Sequence, residues 1–218
     1  EPEATHDISK HQRINDILLG PLERPTIQWL VEHMPHWVQS DHLTFLGLAA
    51  AFLIGISYWA TRFNPNYLWL ASLGFFLNWF GDSLDGNLAR YRKEERPKYG
   101  FYIDHIVDTI SEISIFLGLG ASPYVNFNLA ALALVAYMCM SIHVYIITNV
   151  RGIFKISYGR FGPTEIRVLA IIANTVIYFL GNPTISFSFD KIGLYDLFVI
   201  IVILILALIF FLSVLHEA

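Results

Sequence analysis

Four aspartates set the chemistry open to this sequence. The stretch Asp82-Ser83-Leu84-Asp85-Gly86-Asn87-Leu88-Ala89-Arg90 is answered, after nine intervening residues, by Gly100-Phe101-Tyr102-Ile103-Asp104-His105-Ile106-Val107-Asp108. The sequence around both is apolar enough to lie in a bilayer, where each ionised group costs several kcal/mol unless something compensates it. Acids clustered in such surroundings imply a bound cation. At about 100° per residue of helix, Asp82, Asp85, Gly86 and Ala89 fall on one narrow stripe. Gly100, Asp104 and Asp108 fall on another, with Glu112 one turn further along. Two helices facing each other would pool these acids. Hard oxygen ligands in that number suit Mg²⁺ or Mn²⁺ rather than zinc, and a pair of such ions can hold both ends of a phosphoryl transfer. Gly86, Ala89 and Gly100 leave room on the same stripes for a ligand to approach the backbone, and Arg90 could meet its phosphate oxygens.

The pattern D-x-x-D-G-x-x-A-R, a nine-residue spacer, then G-x-x-x-D-x-x-x-D resembles the signature of the CDP-alcohol phosphotransferases, and each of its positions is filled. The resemblance implies a six-span membrane enzyme that cleaves the pyrophosphate of a CDP-linked donor, releases CMP and forms a phosphodiester on an alcohol. By the same resemblance Asp82, Asp85 and Asp104 are metal ligands, and Asp108 is a ligand or the general base for the attacking hydroxyl. Asp82, Gly86, Ala89, Arg90 and Gly100 would line the cytidine and phosphate pocket. Ser40-Asp41-His42-Leu43-Thr44 resembles the family's Pro-Asn-x-Leu-Thr, with Ser40 and Asp41 in place of Pro and Asn. Thr44 would then face the nucleotide, while Ser40 or Asp41 could equally serve as a helix cap. The Asp104-His105 pair and Gly162-Pro163-Thr164-Glu165 resemble the choline and ethanolamine members. His105 could assist proton transfer or be a packed histidine.

Composition bounds the rest. With 55% hydrophobic residues among 218 and a mean hydropathy of +0.52, the chain suits one compact membrane domain and leaves no room for a second. A net charge of −4 without a long basic stripe argues against nucleic acid as a partner. The single cysteine, Cys139, sits in an apolar run as a small core or lipid-facing residue. No signal-peptide pattern opens the sequence, and its first residue is not Met, so a start residue or tag is expected to precede it.

Residues 1–38 form an N-terminal juxtamembrane segment. Within it Ile27, Leu30, Val31, Met34 and Val38 repeat at helical spacing, and Pro25 can open that helix. The pattern predicts a helix lying in the membrane interface with Trp29 and Trp37 at headgroup level. Residues 39–218 then predict an all-α domain of six transmembrane helices, at about 43–60, 67–90, 100–121, 127–148, 162–180 and 192–215. Asn78 precedes the first acids by one turn, as a helper of the site or as a hydrogen bond between helices. The charged loop 91–99 reads as a solvated face. Glu112 could pair with an arginine, and His143 reads as a core histidine. Arg160, Glu165 and Arg167 near the start of the fifth span could contact a donor or lipid phosphate, or Glu165 could cap its helix. The last span is featureless and permits a homodimer.

Of the 14 lysines and arginines, all but Arg62 and Lys191 lie on one side of the six-span arrangement. That bias puts both termini and the acids' end in the cytoplasm. At least one reactant must be a lipid. The preferred donor is CDP-diacylglycerol with a small polar alcohol as acceptor, which the short chain favours. It could also be a CDP-aminoalcohol with diacylglycerol as acceptor, which the Asp-His and Gly-Pro-Thr-Glu motifs favour. An ion-binding channel or transporter is the rival class, but it would be expected to show broken or repeated helices near the midplane.

Overall fold

The computed structural model describes residues 12–14, 17–151, 153–155, 162–187 and 190–217. Among them are seven helices: α1 (Gly20–Glu32), α2 (Ser40–Ala60), α3 (Tyr67–Arg92), α4 (Pro97–Gly120), α5 (Phe127–Arg151), α6 (Pro163–Leu180) and α7 (Leu194–Glu217). Two small strand pairs accompany them. β1 (Gln12–Ile14) runs parallel to β2 (Ile153–Lys155), and β3 (Thr184–Phe187) forms an antiparallel hairpin with β4 (Asp190–Gly193) between α6 and α7.

Four helices, α2, α5, α6 and α7, carry stretches long and apolar enough to cross a membrane. Helices α3 and α4, with 26 and 24 residues, have the length but not the apolarity. They are the two that carry the aspartates.

Helix α2 lies between α3 and α4 and brings them together. Small residues make the approach possible: a methyl group at Gly81 of α3 would lie 2.5 Å from the Leu43 carbonyl oxygen of α2. One at Gly118 of α4 would overlap the backbone of Gly55. With lipid tails as apolar as leucine, such close backbone contact is what holds helices together in a bilayer. The main core packs Ile54, Tyr58, Leu68, Phe75, Leu119 and Tyr195 in the half of the bundle away from the aspartates.

The ends of several elements differ from the sequence expectation. Helix α3 continues to Arg92 and stops where Lys93 adopts a left-handed conformation (φ 58°), with the Glu94 N–H returning to the Ala89 carbonyl. Helix α4 starts at Pro97, whose missing N–H is harmless in a first turn, so only residues 93–96 remain as a loop. The cap of α2 is Gln39 rather than Ser40 or Asp41; its backbone N–H meets the His42 Nδ1 at 3.2 Å. Ser40 instead donates to the Asp85 carbonyl of α3 at 2.9 Å.

Helix α1 begins at Gly20 with Pro21 in its first turn, so Pro25 lies inside the helix rather than opening it. The apolar stripe of α1, with Met34 and Val38 beyond its end at Glu32, is covered by protein: Ile27, Leu30, Val31, Met34 and Val38 pack with Leu43, Leu84 and Leu88 of α2 and α3. Leu22, Trp29 and Trp37 stay exposed.

Candidate active site

Asp82 comes from α3, and Asp104 and Asp108 stand one turn apart on α4. One carboxylate oxygen from each lies within 4.8 Å of the other two. Oxygen ligands of Mg²⁺ or Ca²⁺ sit about 2.0–2.6 Å from the ion, so ligands across it are at most about 5 Å apart. The trio therefore fits a divalent cation in both chemistry and spacing. Asp85 stands outside it. Its Oδ2 accepts a 2.7 Å hydrogen bond from the Thr44 hydroxyl, and its backbone carbonyl holds Ser40. Asp85 and Thr44 thus tie α3 to α2 on the wall of the site.

Arg167 reaches the trio from α6. Its Nη2 donates to Asp82 Oδ2 at 2.7 Å and its Nε to Asn78 Oδ1 at 2.9 Å. Asn78 is buried and turns its amide nitrogen to the Gly47 carbonyl at 2.9 Å. It is thus both an interhelical hydrogen bond and a support for the arginine. Glu165, two residues before Arg167, is buried and fully engaged elsewhere. One oxygen accepts the Gly162 N–H at 2.9 Å, capping α6, and the other accepts the Leu19 N–H at 2.9 Å. Arg160 lies outside the described residues.

A cleft of about 910 Å³ opens over the trio. Thr44, Gly86, Ala89, Arg90 and Gly100 all line it, and a methyl added at Gly100 would meet nothing within 4 Å. Ligand pockets run to about 300–1,000 Å³, so the cleft has room for a molecule of nucleotide size. Arg90 donates to Asn87 Oδ1 at 3.0 Å on the rim. Two nearby arginines are engaged with protein: Arg92 hydrogen-bonds the Met34, Pro35 and Val38 carbonyls, and Arg96 pairs with Asp41 and lies over the Tyr99 ring. A smaller cavity of about 140 Å³ continues below the trio, and Asp82, Asp108 and Arg167 line both spaces.

His105 packs between the rings of Phe101 and Tyr145, at centroid distances of 4.1 and 4.3 Å. Its Nδ1 is 3.9 Å from Asp104 Oδ2. Among the described residues Glu112 meets no arginine; its Oε1 accepts from Ser141 of α5 at 3.2 Å. His143 pairs with Ser213 of α7 at 2.9 Å as a core histidine.

Sequence reasoning missed the wall that α1 contributes. Glu23, Arg24 and Gln28 line the cleft, and Glu23 is buried. The signal was present: Glu23 lies four residues before Ile27 and eight before Val31, on the stripe that packs inward.

The comparisons with known proteins bear on this geometry. The family model described as CDP-alcohol phosphatidyltransferase matches residues 37–214. The chain belongs to this family. It is an integral membrane protein of that family, almost entirely helical over the described residues and with the signature's aspartates on neighbouring helices. It is 30% identical over 189 residues to the chicken (Gallus gallus) protein Cholinephosphotransferase 1, covering 81% of this chain and 54% of the relative. The proteins of the same name from Danio rerio and Homo sapiens are 27% and 28% identical over 165 residues, or 70% of this chain and 41% and 39% of theirs. The chain spans about half the length, or less, of these curated relatives.

Proposed function

We propose that this protein is a divalent-metal-dependent transferase of phospholipid synthesis, which cleaves a CDP-linked donor, releases CMP and joins the remaining phosphate to an alcohol. The observation that carries the reading is the convergence of Asp82, Asp104 and Asp108 on one point at the floor of a nucleotide-sized cleft. Their oxygens would hold Mg²⁺ or Mn²⁺, as a pair if Asp85 joins them, and the metal would supply neutralisation of pyrophosphate charge. Arg167, held by Asn78, offers a guanidinium for the donor's phosphate beside Asp82. The small residues Gly86, Ala89 and Gly100 leave the cleft wall open to the cytidine, with Thr44 and Arg90 at its edge. Asp108 lies where the cleft meets the inner cavity, which suits the carboxylate that takes the acceptor's proton. His105, packed between two rings, is the alternative base.

Six helices, α2 to α7, alternate in direction and span the bilayer in this reading, with residues 1–38 as a juxtamembrane segment ahead of the domain 39–218. The basic residues favour cytoplasmic termini and a cytoplasmic cleft. A lipid reactant would then enter from the side. Two chemistries fit. One is CDP-diacylglycerol with a small polar acceptor, the pairing preferred on sequence alone. The name shared by the relatives, together with Asp104-His105 and Gly162-Pro163-Thr164-Glu165, favours a CDP-aminoalcohol donor and a lipid acceptor, and is the stronger ground.

The test is direct. Purified protein with Mg²⁺ or Mn²⁺ is incubated with CDP-choline, CDP-ethanolamine or CDP-diacylglycerol and a mixture of acceptors, and the new lipid is identified by mass. Release of CMP together with a new phosphodiester lipid is expected. Metal-replete protein that releases no CMP from any of these donors would end the proposal.

A further inference from the structure

Glu23 of α1 is buried on the face it shares with Ile27 and Val31. Its Oε1 accepts hydrogen bonds from the Trp79 indole at 2.7 Å and the Ser83 hydroxyl at 3.4 Å, both on α3. The same oxygen accepts from the Thr164 hydroxyl at 2.8 Å, in the first turn of α6. The positions of these donors matter: Ser83 follows Asp82 directly, and Thr164 is one turn ahead of Arg167. Arg167 makes the same crossing, from α6 to Asn78 and Asp82 of α3. The two helices are therefore bridged directly by a guanidinium and, through α1, by a carboxylate. A second tie reinforces the second bridge. The Glu165 carboxylate holds the Leu19 N–H, and Ile17 packs so close to Gly162 that a methyl there would lie 2.7 Å from its Cγ2.

We infer that Glu23 is a positioning residue: by clamping the start of α6 against α3 it fixes the reach of Arg167 to Asp82 and so the shape of the carboxylate trio. The inference rests on the proposed transfer reaction for its kinetic test only. A carboxylate suits the post because one oxygen can accept several bonds at once, and bonds to a charged acceptor are the stronger kind. Alanine removes all three bonds. Glutamine keeps an acceptor oxygen in the same place.

The experiment combines kinetics with a distance. Glu23→Ala should lower kcat about tenfold while the donor KM stays within about twofold, the loss expected of roughly one strong hydrogen bond. Glu23→Gln should stay within about threefold of the parent. In an Arg167→Ala background, Glu23→Ala should cost less than about twofold, because residues acting through one another are not additive. Equal factors in both backgrounds would overturn the inference. Independently of any substrate, nitroxide labels at Thr26→Cys and Val168→Cys, with Cys139→Ala, report the α1 to α6 distance by pulsed spin resonance. A single narrow distance that broadens on Glu23→Ala but not on Glu23→Gln is expected, and a distribution unchanged by Glu23→Ala would overturn the clamp even if no donor were turned over. If Glu23→Ala does not fold, Thr164→Val removes only the α6 end of the bridge and must broaden the same distance.

Discussion

Polar side chains gather at both ends of this helical bundle, and the two gatherings are built on opposite terms. Away from the aspartates, Tyr58, Tyr195, Asn174 and Ser72 form a closed network across α2, α3, α6 and α7. Both phenols meet Asn174 Oδ1 at 2.8–2.9 Å, they meet each other at 2.9 Å, and the Asn174 amide reaches Ser72 at 3.2 Å. All four residues are neutral hydrogen-bonding partners, buried, and matched to one another. At the other end three carboxylates converge within 4.8 Å beside one guanidinium, under an open cleft. Paired neutral groups in a low-dielectric interior hold helices in place, whereas converging like charges there oppose folding until a cation joins them. The first arrangement serves cohesion. The second is shaped for something the protein must bind.

The sharpest way to break this contrast is to neutralise the acids. Asp82→Asn should abolish CMP release, by about a thousandfold or more, since it removes a charged ligand and the partner of Arg167 together. Asp108→Asn should retain donor binding but lose transfer, and a more damaging His105→Ala would move the base to the histidine. Excess chelator should stop the reaction and added Mg²⁺ or Mn²⁺ should restore it; turnover that persists in chelator would put the trio on the structural side of the comparison. Next in size is Arg167→Lys. Lysine keeps the charge but cannot bridge Asn78 and Asp82 with a planar fork, so a loss of about ten- to a hundredfold in kcat/KM for the donor is expected. Removing the Thr44 hydroxyl should do less. Thr44→Val deletes the 2.7 Å bond to Asp85 and keeps the shape, for a loss of about tenfold at most in the same assay.

That Asp82, Asp104 and Asp108 come together is what helical spacing and the apolar surroundings led one to expect, but the same spacing pooled Asp85 with them, and Asp85 turns to Thr44 of α2 instead. The partners from elsewhere were less readable. Arg167 and Asn78 stand 89 residues apart, and nothing local in either says that one will hold the other. Glu165 left two readings open, a cap or a phosphate contact, and only the positions of Gly162 and Leu19 show where its two oxygens go. The stripe of α1 was visible as a stripe, but amphipathic spacing says that a face is covered and not by what. Here Leu43, Leu84 and Leu88 of α2 and α3 cover it, while Trp29 and Trp37 stay exposed. The small strands escaped notice because three- and four-residue pairs carry no periodicity of their own.

The smallest expected effect tests the cohesive end. Tyr58→Phe removes a hydroxyl that meets Asn174 and Tyr195, yet leaves the Tyr195 bond to Asn174 Oδ1 in place. Because that acceptor stays satisfied, the cost should be about 1 kcal/mol, a fall of about 2–4 °C in the detergent-solubilised unfolding midpoint. Asn174→Ala takes the hub away and leaves two buried phenols with only each other, so its midpoint should fall further, by about 2–3 kcal/mol in stability. Donor turnover at a temperature where both variants remain folded should stay within about twofold of the parent. If Tyr58→Phe instead cut turnover as deeply as Thr44→Val, the two polar clusters would be one coupled system spanning the bundle, and the division of labour between its ends would fall.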